Sequence, residues 1–344
     1  MRRYLGLIAV VFLWGCDAAP VGVCKPGDDV ICGILRPEDI ELVPDTPWLM
    51  VSEQGGIDRP GRIVLVNPVT NERRILAEAT PPLADASSFP RCGVAPEKLR
   101  PRGFHLAKGD DGALHLLVIA GARVERYRAN IAGSDVSLDW EGCVDIPKEL
   151  TANDIAALPG EGFVISHMYN PPRDAFLNFK MVFGLNTGYV AKWTPESGWS
   201  KVPNSDVSFA NGIQVDPATS RIYVSSMFTQ RIVMIDLDGS HRVDSARSPI
   251  QTDNLSWADD GRLIGAGHTG FPVYGITACR DKGDAPCSFP FAVVAFDPKT
   301  LNQELLFRTP TGAIPGASVA VVRGPNIYLG SAFGDRISHV TSKP

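Results

Sequence analysis

Apolar residues alternate along this chain in short bursts, each broken by a turn and followed by a second burst. In "FANGIQVDP", Ile213 and Val215 alternate with polar neighbours, a turn bearing Pro217 follows, and "RIYVSSM" completes the second run. Alternation of period two reads as a β-strand, and two such runs joined by a turn read as a hairpin. Related units occur six times: "PEDIELVPDTPWLMVSEQGG", "PRGFHLAKGDDGALHLLVIAG", "ANDIAALPGEGFVISHM", "ANGIQVDPATSRIYVSSM", "DNLSWADDGRLIGAGH" and "ASVAVVRGPNIYLGSAF". Each opens with a small or polar pair and ends its second run in small residues. The units begin roughly every 40 to 65 residues, a spacing that suits four-stranded propeller blades with variable loops. The expected fold is all-β, a six-bladed β-propeller with four-stranded blades around a central channel. Glycine (33) and proline (28) scattered through 344 residues leave little room for long helices.

The N-terminus follows a different pattern. "MRRYLGLIAVVFLWGC" has two arginines, a short apolar run and a cysteine, which reads as a secretory signal. The run is shorter than the about 20 residues of a spanning helix. It resembles a bacterial lipoprotein signal with Cys16 as the lipidated residue; simple secretion is the alternative. The expected organisation is residues 1–16 as signal, 17–30 as tether and 31–344 as propeller. The expected location is the periplasm or a bacterial membrane, reached only through the N-terminal lipid.

Export changes the reading of the cysteines. Six remain after Cys16, and an oxidising compartment favours disulfides. Cys24 with Cys32 and Cys279 with Cys287 each flank a polar loop and are expected to pair, leaving Cys92 with Cys143. The net charge of −5, with no basic run after the signal, argues against a nucleic-acid partner.

The polar pairs opening the units carry the candidate chemistry. In a propeller, residues leading into the innermost strands converge on one mouth. Glu38, Asp39, Asn153, Asp154, Asn211, Asp253 and Asn254 are carboxylates and amides, the hard oxygen donors that suit Ca²⁺. A single Asn-Gly is ordinarily a turn. Recurrence at one register of a repeat points instead to ligands.

The same residues resemble the paraoxonase/arylesterase family of six-bladed propellers, related to the gluconolactonase and senescence-marker group. "PEDIELVP", "NDIAALP", "FANGIQVDP" and "DNLSWADDGRLIGAGH" are similar to its metal-site motifs, and the likeness runs from about Glu38 to Phe333. It implies two calcium ions. Glu38, Asn153, Asn211, Asp253 and Asn254 would bind the catalytic one; Asp39, Asp154 and the carbonyl of Phe104 would bind a deeper, structural one. The animal members' histidine pair is replaced by Arg102 and, near its second position, Gly121. Their cysteine before the first blade has a counterpart in Cys32 without a C-terminal partner.

The expected activity is hydrolysis of a small ester or lactone, water attacking a metal-polarised carbonyl. Asp253 is the first candidate base, Glu38 the second, and His268 a candidate helper from the channel wall. His167 is a weaker one, and alternation leaves the facing of His105 and His115 open. Arg102 either binds an anionic group at the mouth or pairs with a channel carboxylate. Phe176, Leu177, Phe179, Met181 and Phe183 either line an apolar pocket or pack as an ordinary insertion. No Gly-x-Ser-x-Gly elbow or phosphate-binding loop occurs. The rival expectation is a non-catalytic propeller in which calcium ties blades together and the rim binds a partner.

Overall fold

The computed structural model describes residues 19–27, 29–78, 89, 98–173, 175–270, 279, 282–309 and 314–342. The signal segment with Cys16, and Cys92 of the expected Cys92–Cys143 pair, lie outside them.

Six four-stranded antiparallel sheets form the blades. Their innermost strands are β1 (Pro37–Leu42), β2 (Pro101–Lys108), β3 (Ala152–Ala157), β4 (Ala210–Asp216), β5 (Gln251–Trp257) and β6 (Val319–Arg323). Each pairs with the next strand of its own blade, so the six hairpins are the six repeated units. Blade 6 takes its outermost strand from the other end of the chain. Val30–Cys32 pairs there with Arg336–Thr341 and closes the ring.

Burial declines from the axis outward. The second strands Leu49–Glu53, Phe163–His167 and Leu263–His268 are buried at every position. The outer strand Asp135–Asp145 instead alternates exposed and buried. A second strand lies between two neighbouring blades, so its alternate side chains enter alternate interfaces. Leu116 and Val118 face blade 1, packing with Met50 and Ile63, whereas Leu117 and Ile119 face blade 3, packing with Ile155 and Phe163. Six such interblade layers make up the main core.

One α-helix, α1 (Ala175–Val182), occurs among the described residues, between the second and third strands of blade 3. No helix of the described residues is long and apolar enough to cross a membrane. Both local disulfides are formed, Cys24–Cys32 beside the closing strand and Cys279–Cys287 in blade 5. Cys32, without a C-terminal partner, is therefore tied to its near neighbour.

Candidate metal and active site at the propeller axis

The regular pairing of the innermost strands breaks at one place in five blades. Register shifts fall between Pro37 and Asp39, Pro101 and Phe104, Ala152 and Ile155, Ala210 and Ile213, and Thr252 and Leu255. The residues released from the ladder are Glu38, Arg102–Gly103, Asn153–Asp154, Asn211–Gly212 and Asp253–Asn254. A bulge kinks the strand and re-aims its side chains. The polar pairs of the sequence repeat thus stand at these breaks, Asp39 alone keeping its ladder partner Ser52, and all the residues there but Arg102 are largely buried.

At the first released position stand Glu38, Arg102, Asn153, Asn211 and Asp253. Asn211 Nδ2 donates to Met227 Sδ (3.3 Å) and Asn153 Nδ2 to Met168 Sδ (3.5 Å). Asn254, at the second position, donates Nδ2 to the Glu38 carbonyl (2.8 Å). Each amide nitrogen is engaged, and each amide oxygen is buried without a partner. Glu38 Oε2 shares that condition with Asn153 Oδ1, Asn211 Oδ1 and Asn254 Oδ1. An unpaired buried polar atom ordinarily costs about 1–3 kcal/mol. Four oxygens left so at neighbouring register breaks fit a hard cation. Among the described residues no group of three or more His, Cys, Asp or Glu is arranged to hold a metal, so the fit depends on the amides.

The protons tell the same story. Burial, then the charges of Asp39 and Asp253, pushes the Glu38 carboxyl well above the usual range. Burial raises Asp253 to about 7, against a hydrogen bond from Asn211. Asp39 and Asp154 are raised as well, chiefly by burial. Glu41, two residues beyond Asp39 on the same face of β1, is a further raised carboxyl absent from the sequence expectation.

The next position alternates in kind: Asp39, which stays paired with Ser52, then the released Gly103, Asp154, Gly212 and Asn254. Asp39 accepts from Ile40 N (2.9 Å) within its own blade and from Phe104 N (3.0 Å) in blade 2. Asp154 repeats this with Ile155 N (2.8 Å) and, in blade 4, Ile213 N (2.8 Å). The glycines of blades 2 and 4 allow close approach from the other side. A Cβ on Gly103 would overlap Asp154, and one on Gly212 would overlap the backbone of Asp253 to Leu255. Blade 6 enters through Ser318, which the sequence reading missed. Its hydroxyl donates to the Glu38 carbonyl (3.1 Å), and its carbonyl accepts from Asn254 N (2.9 Å). The deeper candidates are thus also blade-to-blade ties.

His268 ends the second strand of blade 5, its Nε2 buried without a hydrogen bond and 3.9 Å from Asp253 Oδ2. Its ring packs on Phe289 (centroids 4.0 Å apart), and burial lowers its pKa to about 3. The other candidate histidines, His167, His105 and His115, are occupied elsewhere. His167 accepts from Thr151 N (2.9 Å) and contacts Asn170 Oδ1 (2.8 Å). His105 accepts from Ala157 N (3.0 Å) across the blade 2–3 interface. His115 lies in a charged cluster with Glu141, Asp111 and Arg126. Arg102 is exposed, and its guanidinium forms no ion pair or hydrogen bond among the described residues.

The aromatic insertion divides by face. Leu177 and Met181 are buried against Met168, Phe209, Met227 and Phe228. Through Met168 and Met227, α1 therefore backs Asn153 and Asn211. Phe176, Phe179 and Phe183 are 63%, 50% and 65% exposed and point away from that cluster. The eight-residue helix buries one face only, and Phe176 with Leu177 borders a surface recess that Lys180 and Tyr189 also line.

No family model and no curated protein matches the chain. Solved structures do match. A luciferin-regenerating enzyme aligns over 91% of this chain and 93% of its own, with 12% identity and a TM-score of 0.55. A putative gluconolactonase aligns over 90% of each chain, with 14% identity and a TM-score of 0.50. A calcium-binding protein, regucalcin from Agrobacterium tumefaciens, aligns over 91% of this chain and 93% of its own, with 12% identity and a TM-score of 0.50. At such identities the likeness concerns the fold, which is that of a six-bladed β-propeller.

Proposed function

We propose that the protein is a calcium-dependent hydrolase of esters or lactones, of arylesterase or lactonase type. The observation that carries this reading is the set of four buried, unpartnered oxygens at the register breaks, beside the Asp253–His268 pair of blade 5. Glu38, Asn153, Asn211, Asp253 and Asn254 would hold the catalytic calcium; Asp39, Asp154 and the Phe104 carbonyl would hold a second, structural ion. When bound at the first site, calcium supplies Lewis acidity for a substrate carbonyl and charge for the oxyanion.

The chain's own groups supply the rest. Asp253 Oδ2 would accept the proton of the attacking water. His268, held neutral by burial, presents Nε2 beside that carboxylate and would orient the water. The methionines behind Asn153 and Asn211 keep both amide oxygens turned inward without competing for them. Two disulfides support an exported protein, and we place it in the periplasm, anchored through Cys16.

The second reading, a propeller in which calcium only ties blades together, draws support from Asp39 and Asp154, whose carboxylates already bridge blades. One experiment separates the two. The mature protein is assayed on phenyl acetate and aliphatic lactones with calcium and with chelator, alongside Asn211→Ala. Chelator-sensitive turnover lost in the variant is expected. Absence of turnover together with a calcium-dependent rise in Tm would leave only the tie.

A further inference from the structure

Beside the mouth lies a recess of about 560 Å³ whose described lining includes Arg36, Arg100, Arg102, Lys148, Gln54 and Thr151 and no carboxylate. Its size falls in the range of ligand pockets, about 300–1,000 Å³. Of its four cations, Arg36 is paired, to Asp284 at 2.9 Å. The side chains of Arg100, Arg102 and Lys148 form no hydrogen bond or ion pair among the described residues, and all three are exposed. These cations therefore stand together without a carboxylate partner among the described residues, in a chain of net charge −5.

Position ties this recess to the axis. Arg102 stands at the register break of β2, the place where blades 1, 3, 4 and 5 present Glu38, Asn153, Asn211 and Asp253. The Ser52 hydroxyl holds its carbonyl (2.5 Å). Its charge acts on the Glu38 carboxyl from outside, and Ala152, next to Asn153, also lines the recess. A molecule seated with one end at the oxygen donors would lay its other end among Arg102, Arg100 and Lys148.

We infer that the recess is a subsite for an anionic group, so that the substrates of this enzyme are esters or lactones bearing a carboxylate or phosphate away from the scissile bond. The inference rests on the hydrolase reading for the word substrate, not for the anion site. Guanidinium groups pair with carboxylate or phosphate through parallel hydrogen bonds, and Lys148 adds a point charge. The same cations offset the repulsion that an anion would feel from Glu38, Asp39, Asp154 and Asp253.

The test compares 4-acetoxybenzoate with phenyl acetate, each rate corrected for the ester's intrinsic reactivity. The wild type is expected to prefer the anionic ester in kcat/KM by about tenfold or more, less so at high salt. Arg102→Gln and Lys148→Gln should each cut the preference several-fold, and Arg74→Gln, a paired surface residue of blade 1, should not. Turnover of both esters without preference, or a preference indifferent to Arg102 and Lys148, would overturn the subsite and leave the hydrolase standing. If neither ester is turned over, calorimetry with 4-hydroxybenzoate decides. Binding weakened in Arg102→Gln keeps the anion site and removes the hydrolase; no binding to the wild type removes the anion site.

Discussion

An asparagine carries donors and an acceptor on one planar amide; at Asn153 the NH2 group donates to a methionine sulfur, at Asn211 to a methionine sulfur and to Asp253, and at both the acceptor is left free. Thioether sulfur is a weak acceptor, yet it suffices to fix which way the amide faces. Removing it should release the amide without touching a ligand atom. Met168→Leu, behind Asn153, conserves volume and is expected to weaken calcium binding about tenfold, the order seen when groups that orient metal ligands are changed; titration calorimetry checks this, and an unchanged affinity would deny the sulfur that role. Asp253 allows a second prediction. Without a cation its carboxyl titrates near 7 in the folded chain against about 3.9 in the unfolded one. The folded chain therefore binds the extra proton, and this contribution to the stability of the chelated protein is lost as pH rises from about 4 through 7. Protons also compete with the ion, so calcium affinity is expected to fall as pH drops from 8 to 6. Pairwise titrations in calcium and in chelator should show opposite slopes.

At the level of the strand, five innermost strands share a break, and the glycines at two of them allow neighbouring backbones to touch. Gly212→Ala places a methyl group against Asp253 O, Leu255 N and the Asn254 carbonyl carbon, all backbone atoms that cannot swing aside. Overpacking of this kind costs about 1–3 kcal/mol. Whichever strand yields carries a proposed ligand, Asn211 on β4 or Asp253 and Asn254 on β5, so calcium affinity should fall together with Tm, and a change in Tm alone would count against those ligands. This geometry also shows which features the residues announce. The hairpins were legible because short apolar runs broken by turns recur six times, although a strand buried on both sides between blades reads as a continuous run, as in Leu116 to Ile119, rather than as alternation. The gathering of Glu38, Asn153, Asn211 and Asp253 at the register breaks was legible because they repeat at one register. Ser318 was not, since a serine before "VAVV" has nothing to mark it beside ordinary strand entry. The outward turn of Phe176, Phe179 and Phe183 was hidden too: apolar residues in a short helix do not tell which face finds a partner. Closure by Val30–Cys32 escaped notice because three residues are too few to show a period.

The whole ring is held by ties that need no ion. Asp39 and Asp154 accept amides of blades 2 and 4, Asn254 and Ser318 reach the Glu38 carbonyl, and six apolar layers fill the interfaces between. Chelation should therefore leave the propeller assembled, with its far-ultraviolet circular dichroism unchanged. What it removes is the binding free energy, because an ion that binds only the folded chain stabilises it by about 2.7 kcal/mol at a hundred times its Kd. In domains of about 150–250 residues each kcal/mol moves Tm by about 2–4 °C, so a shift of roughly 5–10 °C is the upper expectation here. The orphaned oxygens set the sign: they carry a desolvation cost in the ion-free chain that the ion relieves. Calorimetric scans of the mature protein at millimolar calcium and in chelator measure this shift. A Tm indifferent to calcium would mean that those oxygens face water instead, and the axial site would lose its metal. Collapse of the β-sheet signal on chelation would mean the reverse, that the ion and not the interblade bonds holds the six blades in one ring.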